Sequence, residues 1–197
     1  MTGLGSVGGG RVVLFVHLIV VGLAATVLYA CSDPSTGTLP AVDPLPESSW
    51  TEAWSSTVAL SPNGGRLYVA NPDSGSITAV DTTTEEVVWE VPVGSHSTTV
   101  AVDPHGDRVY AAVRGDNVVV VLDAHTGKHL GKVVTGHDPY GVVISVDGRT
   151  LFVSESASDS VAFFATDGLI PLGDLDVGHR PRGLAVSADG QSLYVTH

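Results

Sequence analysis

Two histidines, His137 and His179, lie one fixed interval apart in matching contexts, Gly136-His-Asp-Pro139 and Gly178-His-Arg-Pro181. Imidazoles repeated in this way can converge on copper, zinc or iron, or stand over a redox partner. Beside them, Asp138, Tyr140, Arg180 and Arg182 add a carboxylate, an aromatic ring and two guanidinium groups, the last suited to gripping an anion. A third stretch of the same kind, Gly94-Ser-His-Ser97, carries His96 one position out of phase. None of these has the tight His, Cys or Asp spacing of a metal site. The chain also lacks Gly-x-Ser-x-Gly, His-Glu-x-x-His and phosphate-cradling glycine motifs. No catalytic residue and no metal ligand is assigned.

The interval separating these histidines, 42 residues, runs through the whole second part of the chain. Tyr68, Tyr110, Phe152 and Tyr194 recur at it, each preceded by a turn dipeptide: Asn63-Gly64, His105-Gly106, Asp147-Gly148 and Asp189-Gly190. A period of this length marks an array of repeats, each one supersecondary unit. Every repeat reads as four short strands joined by tight turns, in which Gly, Asn and Asp accept the backbone conformations hairpins need. Val118-Val-Val-Val-Leu122 is apolar on consecutive residues, so both faces of its sheet must be covered. Four-stranded antiparallel sheets covered on both faces by their neighbours are the blades of a β-propeller. The fold class is therefore all-β, a β-propeller of 42-residue repeats with about three and a half blades between residues 54 and 197. The periodic aromatics are expected between blades, in the core.

The tetrapeptides Tyr68-Val-Ala-Asn71, Tyr110-Ala-Ala-Val113, Phe152-Val-Ser-Glu155 and Tyr194-Val-Thr-His197 resemble the signature of the YVTN family of β-propeller repeats. The segment Gly178 to Gly190 fits that family's repeat as well. The resemblance covers residues 57 to 197 and implies a ring of about seven blades. An unclosed array would expose apolar faces, so the chain is expected to be a fragment whose remaining blades follow His197. The family includes surface-layer proteins, propellers joined to di-haem peroxidase-like domains, and relatives of lactonase and quinoprotein propellers. The resemblance thus implies a fold and leaves the function open.

In a propeller, the loops entering each innermost strand and those following each second strand share one face, around the mouth of the central channel. Here the first set holds His96, His137, Asp138, Tyr140, His179, Arg180 and Arg182, and the second Asn71, Arg114, Glu155 and His197. These form the candidate binding face. His105, His125 and His129 belong to the opposite turns or outer strands. Asp81 and Asp123 occupy one repeat position after a strand and read as turn residues.

Residues 1 to 31 read as an address. An apolar run from Val12 to Tyr29 suits an export signal or a membrane anchor. Leu28-Tyr-Ala-Cys31 resembles a bacterial lipoprotein signal, which implies lipidation of Cys31. Two other readings remain, an uncleaved anchor helix and an ordinary cleavage after Ala30, and all three place the rest of the chain outside the cytoplasm in the cell envelope. Residues 32 to 53, with Pro34, Pro40, Pro44 and Pro46, read as an extended linker. Cys31 is the one cysteine, so no Cys-x-x-Cys-His haem attachment exists within the chain. A c-type haem would belong to a downstream domain or a partner. With 21 acidic against 9 basic residues and a net charge of −12, nucleic acid is an unfavourable partner.

Together these features imply an exported, membrane-tethered propeller that binds a protein or small ligand at its channel face and is not an enzyme by itself. Two alternatives are the propeller part of a periplasmic, haem-associated redox enzyme and a lactonase-like hydrolase.

Overall fold

The computed structural model describes residues 13–16 and 53–197. Cys31 and the linker before Ala53 lie outside them. The strands in chain order are β1 (Val13–Val16), β2 (Ala53–Trp54), β3 (Val58–Leu60), β4 (Arg66–Asn71), β5 (Ser76–Asp81) and β6 (Val87–Pro92). There follow β7 (Ser97–Val102), β8 (Arg108–Val113), β9 (Val118–Asp123), β10 (His129–Val134), β11 (Pro139–Ile144) and β12 (Thr150–Glu155). The last are β13 (Ser160–Ala165), β14 (Ile170–Asp176), β15 (Leu184–Val186) and β16 (Leu193–Thr196). Arg114–Asp116 forms a single 3-10 turn.

These strands make four antiparallel sheets of four strands, the blades of an incomplete β-propeller. Three are plain meanders: β3 to β6, β7 to β10, and β11 to β14. The fourth takes only β15 and β16 from the last repeat and adds β2 and β1 on its two edges, in the order β1-β16-β15-β2. Unpaired strand edges seek partners. Val13–Val16, part of the apolar run expected to serve export, supplies that partner for Leu193–Thr196. In a protein cut before Cys31 this strand would be lost and β16 would become the edge.

The core follows the repeat. One apolar cluster joins the first and second blades, another the second and third, another the third and fourth. Val118 to Leu122 is buried throughout, as consecutive apolar residues demand of a strand covered on both faces. Of the periodic aromatics, Tyr68, Tyr110 and Phe152 are buried and Tyr194 is half-buried. Among the described residues no sheet is stacked on the free side of the first blade, and Val58 and Leu60 are 44% and 55% exposed.

Between the first and fourth blades the inner edges are joined by the chain itself. The Ser55 N–H donates to the Leu184 carbonyl at 2.8 Å, the Ser56 carbonyl accepts from the Val100 N–H at 2.8 Å, and the Thr57 carbonyl accepts from the Ala70 N–H at 2.8 Å. Ser55 to Thr57 therefore crosses the inner edges of the fourth, second and first blades in turn. It also lies against the third, where a Cβ on Gly141 would meet the Ser55 Oγ at 2.9 Å and the Arg182 carbonyl oxygen at 2.2 Å. Only glycine fits there.

The turns confirm their chemistry. Asp81 accepts the N–H groups of Thr83 and Thr84 at 2.9 and 3.1 Å, and Asp123 accepts those of His125 and Thr126 and the Thr126 hydroxyl. The Thr84 and Thr83 N–H groups hold Asp81, and the Thr126 hydroxyl and N–H hold Asp123, below the usual carboxylate range.

The two tyrosines that fill equivalent positions differ in one bond. The Tyr68 hydroxyl donates to the Ala124 carbonyl of the next blade at 3.0 Å, whereas the Tyr110 hydroxyl, buried beside Arg108, makes no such bond. In the second blade Arg108 takes the matching carbonyl, that of Thr166, at 3.0 Å. Burial pushes both phenols above the usual pKa. Tyr68→Phe is expected to cost about 1 kcal/mol, and Tyr110→Phe to be neutral or stabilising, because it removes a buried group that lacks this bond. Urea unfolding of the two variants beside the parent measures the difference; equal losses would contradict it.

Candidate functional site

The loops expected around the channel mouth do share one face, and their backbone follows the 42-residue period more closely than their side chains do. His96, Asp138 and Arg180 occupy one repeat position and all have positive φ, at 56°, 62° and 54°. The turns after each second strand also contain a positive-φ residue, at Gly75, Asn117 and Asp159. These two positions meet between blades. Asn117 Oδ1 accepts the Asp138 N–H at 2.9 Å, and Asp159 Oδ1 accepts the Arg180 N–H at 2.9 Å. Each blade thus clasps the loop that enters its neighbour. In the first blade Gly75 replaces the side chain because a Cβ there would lie 2.0 Å from the Gly94 carbonyl oxygen. Asp116 takes over by accepting the Ser95 N–H at 3.1 Å.

The polar side chains divide into those committed inside the fold and those turned outward. Glu155 is buried; its carboxylate accepts the Gly136 N–H at 2.6 Å and the Ser160 hydroxyl at 2.9 Å. It closes its own blade's loop and does not reach the surface. Asn71 holds its hairpin through Ser76 and Thr78, at 3.1 and 2.8 Å. His197, at the same repeat position, donates from Nδ1 to the His179 carbonyl at 3.0 Å. Three of the four signature tetrapeptides therefore end on a loop-closing residue, a role not visible in sequence because Asn, Glu and His fill it by different bonds, while the second ends on the buried Val113.

Outward-facing groups gather around Tyr140. Arg114 forms a two-point ion pair with Asp138 across the second and third blades through Nε and Nη2, the latter at 3.0 Å. Its guanidinium carbon lies 6.0 Å from the Tyr140 ring centre, and that of Arg182 lies 5.3 Å from it. The ring is thus flanked by two cations from adjacent blades, at distances where the ring quadrupole attracts them. The Tyr140 carbonyl is fixed by the hydroxyls of Thr98 and Thr99 at 3.0 and 2.6 Å. Around this centre His137, His179, Arg180 and Arg182 are exposed. His179 faces Asp159 at 3.3 Å. Asp159 is held below the usual carboxylate range by the Arg180 N–H first and by His179 second.

His96 stands apart from the Tyr140 group. It borders an open cleft of about 390 Å³ between the first and second blades, with Asp73, Ser74 and Ser95. Among the described residues, no three His, Cys, Asp or Glu side chains come together to hold a metal ion. The face can bind by charge, aromatic contact and hydrogen bonds.

Fold and site together define a β-propeller repeat protein whose polar loop face is built on blade-to-blade clasps. The profile of the family described as outer membrane protein assembly factor BamB matches residues 24–171, and the chain belongs to this family of propeller repeats. No curated protein matches the sequence. Among solved structures, the Kuenenia stuttgartiensis hydrazine synthase is similar with a TM-score of 0.66 and 27% identity, over 69% of this chain and 40% of that one. A functionally unknown protein from Desulfotomaculum acetoxidans shares the fold with a TM-score of 0.64 and 17% identity, over 72% of this chain and 48% of that one. A candidate 6-phosphogluconolactonase from Bacteroides fragilis does so with a TM-score of 0.60 and 18% identity, over 68% and 42%. The chain spans less than half the length of each of these structures.

Two substitutions, one of a carboxylate and one of a guanidinium, test the division between inner and outer groups. Glu155→Ala leaves the Gly136 N–H and Ser160 hydroxyl without their acceptor and is expected to cost about 1–3 kcal/mol. Arg114→Ala breaks a pair whose arginine is 44% exposed and whose aspartate is 16% exposed, and should cost about 1 kcal/mol, less in high salt. Chemical denaturation at low and high ionic strength checks both values.

Proposed function

We propose that the protein is an exported, membrane-tethered binding scaffold whose partner docks on the loop face centred on Tyr140. The observation that carries this reading is the Tyr140 ring set between Arg114 and Arg182. Tyr and Arg are the residues most enriched where binding energy is concentrated in protein interfaces, and the clasped loops fix them before a partner arrives. The family description, an outer membrane protein assembly factor, supports a partner and a location in the cell envelope. The signature tetrapeptides support a finer assignment of the repeat to the YVTN type.

A photoreactive amino acid placed at His179, beside this centre, is expected to form a specific adduct in intact cells. The same group at Lys132, on the outer strand β10, should not. Equal labelling from both positions, or none from His179, would count against the scaffold.

A second reading has its own support. The 27% identity to hydrazine synthase over 69% of this chain favours a propeller module within a larger enzyme. A haem-associated redox assembly is one form of it, with the haem on a partner or another domain. Covalent haem detected spectroscopically in the purified His179 adduct would favour this form over a simple scaffold. For the lactonase-like hydrolase the likeness extends to fold alone.

The tether is proposed to be a lipid on Cys31. Among the described residues no helix is long and apolar enough to cross a membrane. Replacing Cys31 by Ala is expected to move the protein from the membrane to the soluble fraction of the envelope; unchanged fractionation would reject the lipid.

A further inference from the structure

We propose that the face opposite Tyr140 holds a second site, a cleft between the first and second blades that takes a small phosphate- or carboxylate-bearing molecule. The cleft has a volume of about 380 Å³ and is bordered by Asn63, Arg66, Tyr68, Asp81, His105 and His125. Its position is set by three turns, Ser61 to Gly65 in the first blade and the His105-Gly106 and His125 turns in the second.

The lining is rich in donors. Arg66 Nη1 donates to the Ala124 and His125 carbonyls at 3.2 and 2.8 Å, which fixes the guanidinium charge beside the cleft. Asn63 Oδ1 accepts from the Ser61 hydroxyl and the Gly65 N–H at 2.7 and 3.0 Å, leaving its amide N–H groups for a ligand. His105 and His125 are exposed and add ring N–H donors. Against these stand Asp81, partly committed to Thr83 and Thr84, and Asp107, 3.9 Å from His125 Nε2. Such an array fits an acceptor-rich anion better than a cation or an apolar molecule.

The repeat supplies an independent argument. The first, third and fourth blades build this hairpin from a serine and an Asx residue two places on: Ser61 and Asn63, Ser145 and Asp147, Ser187 and Asp189. In each, the Asx side chain is tied into the turn. The second blade has Asp103 in the serine place, and Asp103 Oδ1 accepts the Asp107 and Arg108 N–H groups at 2.8 and 3.3 Å. The turn is thereby held from its other end, and position 105 is released to carry an imidazole. His125 likewise stands where the first and third blades have Thr83 and Asp167. The second blade departs from its neighbours at two cleft positions and at the one position that compensates for the change.

The test follows amide and histidine resonances of the full protein by NMR as inorganic phosphate, and separately citrate, is added. Saturable shifts confined to the Asn63 to Arg66, His105-Gly106 and His125 segments with either probe support the site, and the preferred probe tells phosphate from carboxylate recognition. The variant Asp103→Ser with His105→Asn and His125→Thr installs the turn residues that the first blade itself uses, and should weaken binding by at least about tenfold. Arg182→Ala, on the far face, should leave it unchanged. Shifts that rise linearly with both probes, or that spread over both faces, would overturn the proposal, as would unchanged affinity in the triple variant. Should that variant not fold, the location and saturation of the shifts in the parent decide alone.

Discussion

The second and third sheets of this protein are apolar on both faces, so neither blade can satisfy its own core. That single constraint dictates the rest. A strand such as β9 becomes buried only when β8 and β10 flank it within the sheet and two further blades cover it from above and below. Stability is then shared between neighbouring repeats, as in other quasi-one-dimensional arrays, and each interface must be held in register. The Asn117 to Asp138 and Asp159 to Arg180 clasps do this at one end of the interfaces. Bonds from Arg66 and Arg108 to carbonyls of the following blade do it at the other.

The same constraint explains why the inner edge is bridged by an irregular segment. Blades that stack around an axis bring their first strands together, and the first and fourth have no common apolar interface. Ser55 to Thr57 satisfies backbone groups on three blades at once while contributing almost no apolar surface. The exposure of Val58 and Leu60 marks the face where the stacking rule is left unfulfilled.

Much of the fold was legible because packing and period are the same fact. An aromatic recurring at a fixed interval has to occupy equivalent interfaces, and Tyr68, Tyr110 and Phe152 do. The turn role of Asp81 and Asp123 was equally readable, since hairpin chemistry is local. The site was legible only as a face. That Glu155 points inward while Arg114, one position later in the repeat, points outward depends on which loop amide lies nearby, and no pattern in the chain encodes that distance. The phase of the histidines also misleads: His137 and His179 match in sequence, yet the backbone position with positive φ belongs to His96, Asp138 and Arg180.

This separation of backbone and side-chain periodicity bears on how such an array acquires function. The clasps act through main-chain N–H groups, so the residue at the clasped position is free to be Asp or Arg without loss of the interface. Conversely, where a side chain makes the structural bond, as in the serine-Asx hairpins, its identity is restricted unless another residue assumes the bond. Asp103 shows that such a transfer is physically possible within a single turn. Variation is therefore cheapest at two kinds of place, loops held by their backbone and turns whose bond has moved. The Tyr140 face is the first kind and the His105 turn the second, on opposite ends of the same stack of blades.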